Sequence, residues 1–257
     1  MTELAGATGA APPEPQPAPP SRWVDLALYL GVGIGLFALL GALAHVVAGE
    51  NTTLGLAGTG LANFIGLAGT VYVFGIRRGR LSWAGLGLFP ARWRWRWLLL
   101  IAGLTLALIP LRSLVSIVVL WLVEGNFDSL QTRQALLGSG FSLSRFAVTL
   151  LMAGLLAPIS EELFFRGALY TWLRGRYRVW VAALISATLF GLAHYDSLGV
   201  VVSSFIMGVA IALVYEYTRS LWTAIAIHIL NNSLAVALLY AVLALLEYLP
   251  QLRPLSP

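Results

Sequence analysis

Residues 144–172 read SRFAVTLLMAGLLAPISEELFFRGALYTW. At ~1.5 Å per residue the stretch is long enough to cross a hydrocarbon core of ~30 Å. In hydrocarbon the backbone has to satisfy its own polar groups, so the segment is expected to be helical. Its second half nevertheless carries Glu161, Glu162 and Arg166, and ionisable groups at membrane depth are costly and mark functional sites by default. Helical geometry divides these groups. Glu162 and Arg166 are four apart and share a face, so they can pair along one helix. Glu161 is rotated by ~100°, lies on the face of Phe165, and is left over to do chemistry. Pro158 lies one turn upstream. It lacks a backbone donor and crowds the carbonyl of Gly154, so the helix should open just before the carboxylates and leave room for water.

The rest of the chain agrees with a membrane reading. Of 257 residues 59% are apolar and 11% charged, against the usual ~45–50% and ~25%. A soluble single-core domain is excluded, because there are too few charges to cover it. With no Cys, disulfide scaffolds, thiol nucleophiles and Cys-based zinc sites are excluded too. Residues 1–21 are Ala/Pro-rich and are expected to be a disordered tail. They hold no basic residue before Arg22 and do not read as a signal peptide. Apolar segments at 23–48, 53–76, 97–123, 144–172, 178–195, 198–217 and 220–248 predict an all-α, polytopic transmembrane bundle over 22–250. It has seven spans, or eight if the last segment is broken.

Arginine supplies every one of the 16 basic residues. Arg77, Arg78, Arg80, Arg92, Arg94 and Arg96 fall in one loop and Arg174, Arg176 and Arg178 in another. Acidic residues such as Glu50, Glu124, Asp128 and Asp196 occupy the intervening loops, beside a lone Arg133. By the positive-inside rule the N-terminus is cytoplasmic, in the plasma membrane of a cell. The alternating Arg and Trp of residues 92–97 read as an interfacial anchor at anionic headgroups rather than a nucleic-acid surface. Gly31, Gly33 and Gly35, and Gly55, Gly58 and Gly60, read as close-packing faces rather than nucleotide loops. Asn51-Thr52-Thr53 matches a glycosylation sequon by pattern only. Arg112, in mid-span, has to find a partner or water.

Two further polar clusters sit in apolar surroundings: Phe190 with His194, and His228 with Asn232, each pair four residues apart on one face. Counted from the Arg-rich ends, Glu161 and His194 lie ~18–24 Å along their helices and His228 roughly 14 Å. These depths permit one shared cavity. His45, near a helix end, looks incidental.

Glu161-Glu162 with Arg166, Phe190 with His194, and His228 with Asn232 resemble, in order and spacing, the Glu-Glu-x-x-x-Arg, Phe-x-x-x-His and His-x-x-x-Asn/Asp motifs of a known family. It is the CAAX-processing and bacteriocin-processing (CPBP) family of intramembrane proteases, whose eukaryotic members are the type II CAAX prenyl endopeptidases. The likeness covers residues 140–240. It implies peptide-bond hydrolysis in a wet cavity. Glu161 would be the general base, assisted by His194, with His228 and Asn232 holding the oxyanion and Glu162 and Arg166 orienting the site. The chemistry is compatible, since a carboxylate in a low-dielectric cavity gains proton affinity and donors aimed at developing charge are worth ~2.7–4 kcal/mol.

A glutamate-activated water without a metal or other cofactor is the preferred expectation. Zinc on Glu161, His194 and His228 is the alternative. The expected partners are the lipid bilayer and a peptide or membrane-protein substrate, with no nucleic acid. Two competing functions remain: a transporter or proton relay, for which no inverted repeat is visible, and a non-catalytic scaffold or immunity protein of the same fold.

Overall fold

The computed structural model describes residues 22–89, 95–123, 125 and 141–248. The tail 1–21 and the loop residues Arg92, Arg94, Glu124, Asp128 and Arg133 lie outside them. Seven apolar helices follow in the expected order: α1 Trp23–Ala48, α2 Thr52–Ile76, α3 Trp95–Val123, α4 Leu143–Arg174, α5 Val179–Leu192, α6 Leu198–Thr218 and α7 Leu221–Tyr248. Six of the seven are long and apolar enough to cross a membrane. The described residues thus form an all-helical, polytopic bundle. Helix α7 runs unbroken from Leu221 to Tyr248, so the eighth span does not arise.

Helix α5 departs from the expected span 178–195. Its 14 residues reach only about 21 Å, and the chain turns at Ala193 through a bond from the His194 N–H to Gly191 O. The stop has a packing cause. A Cβ on Gly191 would stand 2.8 Å from the carbonyl of Val201 on α6, and one on Gly208 of α6 would stand 3.0 Å from Ala187. Small residues therefore draw α5 and α6 together, and the connection between them is short.

Local sequence sets the other helix starts. The Asn51 side chain accepts from the Leu54 N–H at 3.0 Å, so this residue of the sequon pattern is an N-cap. Ser142 and Ser197 cap α4 and α6 in the same manner. The glycine faces are contact faces in part. Cβ atoms on Gly33, Gly58 and Gly60 would meet Phe164, Ala44 and Met152, whereas Gly31 and Gly35 face open space. Arg112 of α3 donates to the Met207 sulfur of α6 at 2.9 Å.

The Arg-rich ends are tied together. Glu216 accepts from Tyr170 at 2.8 Å and pairs with Arg174 at 3.1 Å and Arg219 at 2.7 Å. The loop after α2 is fastened to the α6–α7 turn, where Leu221 N–H and the Trp222 indole donate to Leu86 O and Leu88 O. Gly87 (φ +71°) lies so close to the Arg219 carbonyl that no side chain would fit.

Candidate active site

The site is built on the α4 backbone. Residues Leu150–Leu156 form a widened π turn immediately before Pro158, and such turns are frequent at functional sites. The expected opening of the helix takes this form. The carbonyls it frees are claimed by α7: Asn232 Nδ2 donates to Ala153 O at 3.1 Å and Ser233 Oγ to Gly154 O at 3.1 Å. Gly154 permits the approach, since a Cβ there would be 2.9 Å from Ser233 Oγ. A second π turn, Leu163–Tyr170, follows the carboxylates. Its Phe165 carbonyl accepts from Ser186 of α5 at 3.1 Å.

Glu162 sits in the sealed part of the site. Glu162, Arg166 and His228 are fully buried. Glu162 Oε1 receives Arg166 Nη1 at 3.0 Å and His228 Nδ1 at 2.7 Å. Arg166 Nη2 donates to Gly208 O at 3.0 Å, and its guanidinium lies 4.6 Å from the centre of the Phe190 ring. The expected ion pair along α4 is therefore present, and it is locked between α5, α6 and α7.

Glu161 faces the open part. Its Oε1 accepts from Asn63 Nδ2 of α2 at 3.3 Å, and Ser160 Oγ donates to Asn63 Oδ1 at 2.5 Å. Its Oε2 lies 3.8 Å from His194 Nε2 and 3.7 Å from His228 Nε2. Glu161 Oε2 and His228 Nε2 are buried with no hydrogen-bond partner among the described residues. Hydrogen-bond logic fixes the ring tautomers. His194 Nδ1 lies 2.8 Å from the Phe190 carbonyl and His228 Nδ1 faces the Glu162 carboxylate. Both partners only accept, so both Nδ1 atoms carry hydrogen. In neutral rings the two Nε2 lone pairs then converge with that of Glu161 Oε2. Such a constellation wants a hydrogen-bond donor, and a water fits the description. The His194 side chain is 27% exposed against 11% for Glu161 and none for His228, so the site is most accessible from the His194 side.

Five of the six residues singled out from the sequence come together here: Glu161, Glu162, Arg166, His194 and His228. Asn232 lies on the same α7 face, half-buried, with its amide on Ala153 O rather than on a carboxylate. Two residues that complete the site went unassigned. Asn63 is an amide inside an otherwise apolar span, a signal of the kind that picks out Asn232, and Ser160 adjoins the carboxylate pair without a signal of its own.

The donor set is only a partial fit to zinc. Tetrahedral ligands at ~2.0–2.1 Å from the metal are about 3.4 Å apart, closer than the 3.7 and 3.8 Å found here. Among the described residues no three His, Asp or Glu side chains form a metal-ligand group.

Comparison with known proteins points to the same helices. Residues 143–234 match the family described as "Type II CAAX prenyl endopeptidase Rce1-like". The chain is also similar to a Bacillus subtilis protein named "Putative membrane peptidase YdiL", at 29% identity over 87 residues. That stretch is 34% of this chain and 35% of the relative, so the chain aligns with about a third of the relative's length. No solved structure matches. The family resemblance drawn from the three motifs is thus found independently, over α4 to the middle of α7.

Proposed function

We propose that the protein is an intramembrane endopeptidase that hydrolyses a peptide bond near the membrane surface. The observation that carries the reading is the meeting of Glu161 Oε2 with two imidazole Nε2 atoms, 3.8 and 3.7 Å away, brought together from α4, α7 and the turn that follows α5. A water between them gives one hydrogen to Glu161 Oε2 and the other to His194 Nε2, which leaves its oxygen lone pair for a scissile carbonyl. As the C–O bond forms, Glu161 takes the water proton. It then returns that proton to the leaving nitrogen as the C–N bond breaks.

The oxyanion needs donors. His228 serves as one when its Nε2 carries a hydrogen, and Glu162, accepting from Nδ1, fixes the direction of the ring. Asn232 offers the second hydrogen of its amide. Glu162 and Arg166 hold His228 in place. The match to a family described as prenyl endopeptidases supports a C-terminal, lipid-modified tail as one substrate class, and unmodified peptides or membrane-protein regulators as others. The loop arginines support a cytoplasmic N-terminus in the plasma membrane.

Purified protein in phosphatidylethanolamine/phosphatidylglycerol vesicles should cleave a farnesylated CAAX-tailed peptide or an unmodified transmembrane peptide, read by mass spectrometry of the new termini. Glu161→Gln and His194→Ala should each remove most turnover and stay folded. Wild-type rates in both would overturn the assignment. Activity lost to a chelator and restored by zinc would replace the metal-free reading with the zinc one.

A further inference from the structure

Neither the three motifs nor the matched segment 143–234 includes a residue of the second membrane helix, yet α2 supplies a hydrogen-bond donor to the proposed base. We propose that Asn63 is a positioning residue that selects Oε2 of Glu161 as the basic oxygen, with Ser160 setting the direction of its amide. The proposal rests on the reading of Glu161 as general base.

The two carboxylate oxygens are chemically equal in a free glutamate. Here they are not. Oε1 is occupied by Asn63 Nδ2 at 3.3 Å, whereas Oε2 has no donor among the described residues and faces both imidazoles. A carboxylate oxygen that already accepts an N–H is the poorer proton acceptor of the two, so the proton is directed to Oε2, where the water lies.

Asn63 does this only in one orientation. Flipped by 180°, its carbonyl would face Glu161 Oε1, acceptor against acceptor. Ser160 prevents the flip by donating to Asn63 Oδ1 at 2.5 Å, in preference to its alternative acceptors Ala157 O at 2.9 Å and Leu156 O at 3.2 Å. The placement depends on close helix packing. Gly60, one turn before Asn63, has no Cβ, and one there would stand 2.5 Å from Met152 Cβ on α4. A glycine face read from sequence as packing thereby delivers a polar group to the site.

The test uses the full chain in the same vesicles, with Asn63→Leu (similar in size, no donor) and Ser160→Ala. The infrared difference between wild type and Glu161→Gln at one fixed pH isolates the Glu161 carboxylate stretches. The Asn63 amide on Oε1 sets the balance between the two C–O bonds, so the splitting between the stretches should shift in Asn63→Leu and partly in Ser160→Ala. On whichever peptide the wild type cleaves, kcat should fall about tenfold in Asn63→Leu, the scale of one hydrogen bond to a charged group, with KM within about twofold.

Thermal unfolding in detergent confirms that each variant is folded, and the milder Ser160→Ala keeps the test usable if Asn63→Leu is not. An unchanged splitting in the folded variants overturns the proposal. A shifted splitting in a protein whose Glu161→Gln variant still cleaves would instead overturn the general-base reading and leave the contact standing.

Discussion

Glu161 and Glu162 are neighbours in sequence and the same residue, yet the fold gives them opposite surroundings. Glu162 is fully buried and its Oε1 is held by two charged or chargeable partners, Arg166 and His228. Among the described residues Glu161 has one amide donor, on Oε1, and its other oxygen is aimed at two imidazoles. The ~100° between consecutive helical residues decides which is which. One carboxylate is spent on holding α4, α6 and α7 together. The other is kept available.

That contrast can be broken by substitution, and the largest expected effect is on turnover. Glu161→Gln keeps the shape and removes the base, so kcat should fall by about 10²–10⁴ with the melting temperature unchanged. Next comes stability. Glu162→Ala strands Arg166 and His228 in the core, and opening a buried ion pair costs about 3–5 kcal/mol, to be read as a large loss of thermal stability in detergent. If Glu162→Ala melts like the wild type but is inactive, the division of labour is wrong.

Gly60→Ala should be milder in stability, about 1–3 kcal/mol of overpacking against Met152, yet it moves Asn63 from Glu161 and so should lower kcat as well. The smallest effect is expected for Ser233→Ala, which takes one donor from Gly154 O. Interhelical hydrogen bonds in membranes average about 0.6 kcal/mol, so a barely shifted melt with near-normal turnover is the outcome to look for.

Much of this contrast could be read from the chain. The pairing of Glu162 with Arg166 needs only a four-residue spacing along α4; Phe190 and His194 share that spacing and their rings lie 4.6 Å apart, although His194 falls in the turn beyond α5. Spacing within one helix is local, so sequence carries it. What sequence does not carry is which helix meets which. The contact between Asn63 and Glu161 joins residues 98 apart. It depends on the absence of a side chain at Gly60, and periodicity says nothing of that partner. Asn232 shows the converse. Its face was legible, but the carbonyl it bonds was freed by the π turn ahead of Pro158, and a regular helix offers no such acceptor. The early end of α5 escaped for a similar reason, because apolar character continues past Leu192 while the helix does not.

That early end has a consequence for the surrounding lipid. A rod of about 21 Å in a slab of ~30 Å leaves a deficit of about 9 Å, and a bilayer meets such a deficit by thinning locally or by letting headgroups sag inward. His194 stands just past that end, so beside α5 the aqueous phase would have the shortest distance to travel, and a hydrolytic centre of the proposed kind would draw its water from a dimple in the membrane rather than through a long channel in the protein.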